Sequence, residues 1–236
     1  MVDEIGSRLL YEDNHLILVN KRCGELVQGD KTGDQPLLET LREFIRIRDR
    51  KPGNVFLGLV HRLDRPTSGI VVFAKTSKAL GRMNRLFAES RVEKRYWALT
   101  DALPPDTSGE LRHFLQRDPK TNKSRAFSEP GSERKAASLG YEVLLSLDRY
   151  HLLELDLHSG RHHQIRAQLQ AMGIHIRGDL KYGARRSNPT GGISLHARSI
   201  SFEHPVGARE TVKVVADPRP VQDDPLWKKL EIYNSI

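Results

Sequence analysis

The sequence predicts one domain of mixed helices and strands. Three observations carry this reading. Apolar, β-branched runs bounded by turn residues recur along the chain, two or more segments show the three-and-four spacing of amphipathic helices, and no Gly/Ser-rich linker, repeat or low-complexity tract divides the 236 residues. With 38% hydrophobic and 29% charged residues, a sizeable core is available.

In chain order, Leu9-Leu10-Tyr11, the polar turn Glu12-Asp13-Asn14 and His15-Leu16-Ile17-Leu18-Val19 read as a hairpin or strand pair. Leu37, Leu38, Leu41, Phe44 and Ile45 then recur at three and four over residues 37–48, which predicts a helix with Arg42, Arg46 and Arg48 outside, broken by Arg50-Lys51-Pro52-Gly53. The runs Val55-Phe56-Leu57-Gly58-Leu59-Val60 and Ile70-Val71-Val72-Phe73-Ala74 read as adjacent buried strands. The polar stretch between them, His61-Arg62-Leu63-Asp64-Arg65-Pro66-Thr67-Ser68-Gly69, is then a connection held by the core on both sides. Thr76 or Ser77 offers an N-cap to a second helix lined by Leu80, Met83, Leu86 and Phe87.

Glu93-Lys94-Arg95-Tyr96-Trp97-Ala98-Leu99 predicts a strand, and residues 109–145 predict hairpins with exposed basic tips. Residues 150–157 alternate as a strand, and Ser159-Gly160 turns into a helix on which Ile165, Leu169 and Met172 are spaced four and three, ending at Gly173. Arg161, Gln164 and Gln168 share another face of that helix. Arg166 falls at the border of its apolar stripe, a position that suits a permanent cation paired with a half-buried carboxylate. Leu226, Trp227 and Leu230 predict a short packed helix in the tail 223–236.

A formal charge of +8 favours a polyanionic partner, nucleic acid or an anionic surface, and residues 158–200 hold seven arginines and lysines against one acid, Asp179. One cysteine, Cys23, excludes an internal disulfide and a cysteine-based zinc finger, and reads as a small packing residue of a protein in a reducing compartment. No apolar run reaches the roughly eighteen residues of a membrane span, and the N-terminus has no secretory profile, so a cytoplasmic protein is expected. His158, His162 and His163 form the closest histidine cluster. Gly160 puts a turn between His158 and the helix, so no metal site is expected, and without a Gly-rich phosphate loop or dinucleotide fingerprint no cofactor is expected either.

The residues alone leave two readings of the central connection. Asp64 and Thr67 could cap a turn that Pro66 and Gly69 shape; alternatively, Asp64 is a carboxylate kept ionised for chemistry, which would explain the flanking Arg62 and Arg65 that a simple turn does not need. Tyr96, taken by itself, is a half-buried strand residue.

The stretch HRLDRPTSG resembles the signature of the RluA-type pseudouridine synthases, matching at all nine positions. YEDNHLILVNK with Gly24 is similar to that family's opening motif, with Arg22-Cys23 where Pro-Ala is usual. Lys94-Arg95-Tyr96 is similar to its second motif. SGRHHQIRAQL with Gly178-Asp179-Leu180-Lys181-Tyr182-Gly183 resembles its third, with His162 where threonine is usual. Leu195-His196-Ala197 with Phe202-Glu203-His204-Pro205 resembles its last.

The resemblance implies an α+β fold: a single catalytic domain over residues 1–236, with a mixed, largely antiparallel sheet, flanking helices, a central cleft and no separate N-terminal RNA-binding module. It implies an isomerase that converts a uridine of structured RNA, ribosomal or transfer, to pseudouridine without cofactor. Asp64 would be nucleophile or base, Arg166 its ion-pair partner and Tyr96 the group that takes or relays a proton. Arg62 would fill the gap left by the flipped uridine, with His61, Arg65 and Leu195 also binding substrate. A monomer on an RNA stem-loop is expected. Intact Asp64, Tyr96 and Arg166 argue against an RNA-binding protein that lost catalysis, and the lack of a second carboxylate beside Asp64 argues against a glycosidic hydrolase.

Overall fold

Apolar runs long enough to bury both faces of a strand form the centre of the first of two compact units. The computed structural model describes residues 2–30, 32–189, 191–207, 210–222 and 224–230. The first unit comprises Met1–Val92 and Arg198–Ile236, the second Glu93–Ala197.

In the first unit the elements are α1 (Val2–Gly6), β1 (Leu9–Glu12), β2 (Leu16–Lys21), α2 (Leu37–Arg48), β3 (Gly58–Leu59), β4 (Ser68–Ala74) and α3 (Ser77–Ala88). The second unit holds β5 (Val92–Thr100, after its first residue), β6 (Ser108–Asp118), β7 (Lys123–Phe127), β8 (Lys135–Ser146), β9 (His151–Leu157), α4 (Gln164–Ala171) and a 3-10 turn, Leu180–Tyr182. The chain closes with β10 (Leu195–Glu203), β11 (Thr211–Val215) and α5 (Pro225–Lys229), of which only Leu195 to Ala197 count with the second unit.

β2 and β4 pair antiparallel from Leu16↔Ala74 to Lys21↔Gly69, and every residue of both is buried. That explains why their sequences run apolar rather than alternate. β1 covers one side of β2 as the hairpin predicted, and Asp13 shapes its turn by accepting from the amides of His15 and Leu16 at 2.7 Å each. β10 lies beside β4 and pairs with β11. α3 starts where Thr76 Oγ1 accepts from the Ala79 amide, and its stripe of Ala79, Met83 and Leu86 seals against Leu16, Leu18, Ile70, Val72, Phe202 and Val214. Each such side chain contributes about 1.5–3 kcal/mol on burial.

One expected strand is largely missing. Of the run 55–60, Gly58 and Leu59 form ladder pairs with Ala74 and Phe73 of β4, and the Val60 amide donates to the Val72 carbonyl at 3.3 Å. The carbonyl of Leu57 is taken by the Arg42 guanidinium of α2 at 2.9 Å, not by a neighbouring strand, and Phe56 is 48% exposed. Residues 55–57 are therefore irregular backbone, and the chain joins β4 only from Gly58 onward.

In the second unit the strand order is β5-β9-β8-β6-β7, with every neighbour antiparallel. The β6–β7 hairpin turns through Pro119-Lys120-Thr121-Asn122, a basic tip as predicted. α4 packs on β6 and β7 and is buried nearly all round, including the polar face of Gln164 and Gln168. Those glutamines tie the helix to strand carbonyls: Gln164 donates to Ser138, and Gln168 to Leu111. Gly173, with φ +75°, ends the helix in the left-handed conformation its residue type suits.

The α+β class and the mixed, largely antiparallel sheet match the expectation. In the tail, Trp227 and Leu230 are buried and Leu226 is half-buried. Asp223 and residues 231–236 of the predicted tail element lie outside the described residues. Among the described residues no helix is long and apolar enough to cross a membrane.

Candidate active site

The connection carrying Asp64 is fixed through its backbone. Asp64 and Thr67 close a turn, the Thr67 amide donating to the Asp64 carbonyl at 3.0 Å. The next carbonyl, that of Arg65, accepts from the Gly24 amide at 2.8 Å and from the Lys21 ammonium at 3.1 Å. Lys21, at the end of fully buried β2, also donates to the carbonyls of Arg22 and Glu25 at 2.8 and 2.9 Å. Burial lowers its pKa to about 8, with the opposing charges of Glu25, Cys23 and Asp64 raising it.

Beyond the turn, Gly69 adopts φ +113°, a conformation costly for any residue with a Cβ. Ser68 Oγ accepts from the Gln222 side chain at 2.6 Å, and Gln222 in turn accepts from the Trp227 indole at 2.7 Å. All three are buried. Asp64 itself is half-buried. The Thr67 hydroxyl is buried with no hydrogen-bond partner among the described residues, and the turn is closed by the backbone of Thr67.

The other candidates on this connection differ. Arg62 is exposed, with no hydrogen bond or ion pair among the described residues. Arg65 pairs with Asp34 at 2.7 Å and donates to the Gly24 carbonyl. His61 accepts from the Val72 amide through Nε2 at 3.2 Å and stacks on Phe87 of α3, ring centroids 5.0 Å apart, so much of its surface serves the fold.

In the second unit Tyr96 sits on β5 opposite Leu155 and is 8% exposed, with Trp97 beside it donating to Glu154 at 3.1 Å. Leu195 opens β10 and is buried. Arg166 is 5% exposed, more deeply placed than a border position suggests. Its Nε and one Nη grip the Asp179 carboxylate at 2.7 and 2.8 Å, and its guanidinium lies over the Tyr182 ring at 4.7 Å. The bidentate grip and the ring fix the plane of the cation.

Asp179 follows Gly178, whose φ is +85° and where a Cβ would sit 2.6 Å from the Asn188 side chain. His163 precedes α4 with φ 52°, and its Nδ1 lies 2.8 Å from the Tyr182 hydroxyl. Burial first, then the Arg166 charge, pushes its pKa far below the ordinary imidazole value, so it is neutral. His162 stacks on His163 at 3.8 Å and bonds Ser124 Oγ at 2.9 Å. Among the described residues no three His, Cys, Asp or Glu side chains gather as metal ligands.

Lys21, Asp179 and Gln222 were not singled out as site residues by sequence. Two had visible signals: Lys21, with Asn20, ends a strand that opens with four apolar residues, and Asp179 is the single acid of a basic stretch. Gln222 had none.

Residues 15–171 match the RNA pseudouridylate synthase family. The chain is 34% identical over 225 residues to an uncharacterized RNA pseudouridine synthase of Chlorobaculum parvum, covering 86% of this chain and 68% of that protein. It is 31% identical over 210 residues to ribosomal large subunit pseudouridine synthase C of Vibrio parahaemolyticus, covering 86% of this chain and 64% of that protein. In solved structures its fold is similar to human RNA pseudouridylate synthase domain containing 4, with TM-score 0.76 at 24% identity over 91% of this chain and 90% of that one.

Proposed function

The chain belongs to the RNA pseudouridylate synthase family, of the RluA type, and from that premise we propose that it isomerises a uridine of large-subunit ribosomal RNA with Asp64 as the reacting carboxylate. The family makes it an isomerase that acts on RNA. The observation that carries the assignment of Asp64 is the locked turn: a carboxylate inside the intact nine-residue signature, on backbone held by Lys21, Gly24 and Thr67.

The chemistry asks for such a group. Breaking the bond from ribose to the base nitrogen builds positive charge on the sugar carbon, which an ionised carboxylate stabilises or traps. In the alternative route the same carboxylate removes a sugar proton to give a glycal. The uracil then turns and rejoins the sugar through carbon, and that carbon loses its proton. Tyr96 takes or relays it in this reading, and Arg166 keeps Asp64 charged, its guanidinium pre-set by Asp179. Arg62, exposed and without a hydrogen bond or ion pair among the described residues, fills the stack left by the flipped base; extrusion costs a few kcal/mol that such an insertion offsets.

The substrate class follows the naming of the relative from Vibrio parahaemolyticus, which concerns the ribosomal large subunit. The reading also takes the chain as a cytoplasmic monomer acting on an RNA stem-loop. The test is release of tritium from large-subunit RNA labelled at uracil carbon 5, for the wild type and Asp64→Asn at matched RNA occupancy. Release by the wild type alone supports the assignment. Equal release by Asp64→Asn, or free uracil as product, overturns it.

A further inference from the structure

Outside the signature, the strongest unassigned feature is the solvent face of α3. Lys78, Arg82 and Arg85 recur along it at four and three, so the three cations share one stripe, and Arg91 follows just past the helix end. Lys78 and Arg85 make no hydrogen bond or ion pair among the described residues. Arg82 donates to the Pro205 carbonyl at 2.8 Å, and Arg91 reaches Glu203 at 2.6 Å and Glu89 at 3.3 Å. Arg82, Arg85 and Arg91 line an open groove of about 430 Å³ together with Leu86, Glu203 and His204.

The contrast with α2 is informative. There two outer arginines sit three residues after a glutamate and pair with it, Arg42 with Glu39 and Arg46 with Glu43. On α3 the like charges face one another with no acid in the helix itself, an arrangement that costs a few tenths of a kcal/mol per pair in an isolated helix. A phosphate seated between them would reverse the sign of that term.

α3 is also tied to the connection that bears Asp64. His61, three residues before Asp64, stacks on Phe87 in the last turn of α3, and Gly58 packs so tightly on Leu80 that a Cβ would fall 2.6 Å from its side chain. A strand whose base is extruded toward Asp64 must carry its flanking phosphates across neighbouring surface, where cations lower their repulsion.

Resting on the RNA reading above, we infer that the Arg82–Arg85 groove of α3 is a backbone-phosphate site for the RNA strand flanking the target uridine. It reads no base. Its contribution is electrostatic and falls with salt.

The test measures binding of fluorescein-labelled single-stranded poly(U) by anisotropy across a salt series, for the wild type, Arg82→Ala/Arg85→Ala and Arg46→Ala/Lys51→Ala. The last removes the same two charges from the surface at α2 and the residues after it. The groove predicts that the slope of log affinity against log salt becomes shallower by about 1.4 in the α3 variant, two contacts at roughly 0.7 each, and is unchanged in the α2 variant. Equal slopes for wild type and α3 variant overturn the groove while leaving the RNA reading intact. Equal changes in both variants also overturn it, since net charge alone would then explain them. Absence of salt-dependent poly(U) binding by the wild type also overturns the groove, whose contacts read no base, while tritium release from large-subunit RNA tests the RNA reading separately.

Discussion

Arg166 shows how much one buried cation depends on its surroundings. Asp179 is 1% exposed and holds two guanidinium N–H groups, so removing the carboxylate leaves a charge buried without that partner. Asp179→Ala is expected to lower stability by about 3–5 kcal/mol, read as a shift of the urea midpoint, and to slow isomerisation further than the stability loss explains. His163 gives a pH dependence. Its folded pKa lies below the unfolded value near 6.5, so the unfolded chain binds a proton there that the folded chain refuses. The stability it contributes is complete above about pH 6.5 and is lost as pH falls below it, by about 1 kcal/mol per pH unit at most after allowance for solvent screening. In His163→Asn, where the side chain tolerates the left-handed backbone and cannot titrate, the curve of stability against pH between 6.5 and 5 should be flatter. An unchanged curve would contradict the assignment.

At the scale of elements, the Asp64 turn belongs to two segments far apart in sequence, the end of β2 and the start of β4. Lys21 joins them with three carbonyl bonds, one to Arg65. Lys21→Met keeps the aliphatic stem but takes this donor from all three carbonyls, of which that of Arg65 keeps the Gly24 amide. The expected cost is about 1–3 kcal/mol for each one left unsatisfied, together with a fall in kcat, measured by denaturation and by tritium release on the folded variant. A variant with full stability and full kcat would show that the ammonium does not hold the turn. α3 depends on a simpler device: Thr76→Ala removes the cap to the Ala79 amide and should cost about 1 kcal/mol, recovered by Thr76→Ser.

Across the molecule, the stretch 216–222 with 224–230 completes the first unit. Trp227 is 1% exposed, its indole bonds Gln222, and Gln222 bonds Ser68 at the start of β4. Trp227→Ala should cost about 3–5 kcal/mol, seen in the unfolding midpoint. Gln222→Leu is expected to cost less and to lower tritium release at saturating RNA. The sequence by itself determined the helix 37–48, the helix that Thr76 caps, the buried strand after the signature, the basic hairpin and the contiguous motif around Asp64, because period, capping and a contiguous motif are local properties. It misjudged residues 55–57 as strand, since only folding reveals that Arg42 takes the Leu57 carbonyl. It also treated Gln164 and Gln168 as a polar face of the helix, when strand carbonyls some 26 and 57 residues away draw them into the interior. Lys21, Asp179 and Gln222 owe their roles to contacts that no spacing encodes. A charged or amide group can be buried only where the chain returns to pair with it, and the tertiary structure alone decides where that happens.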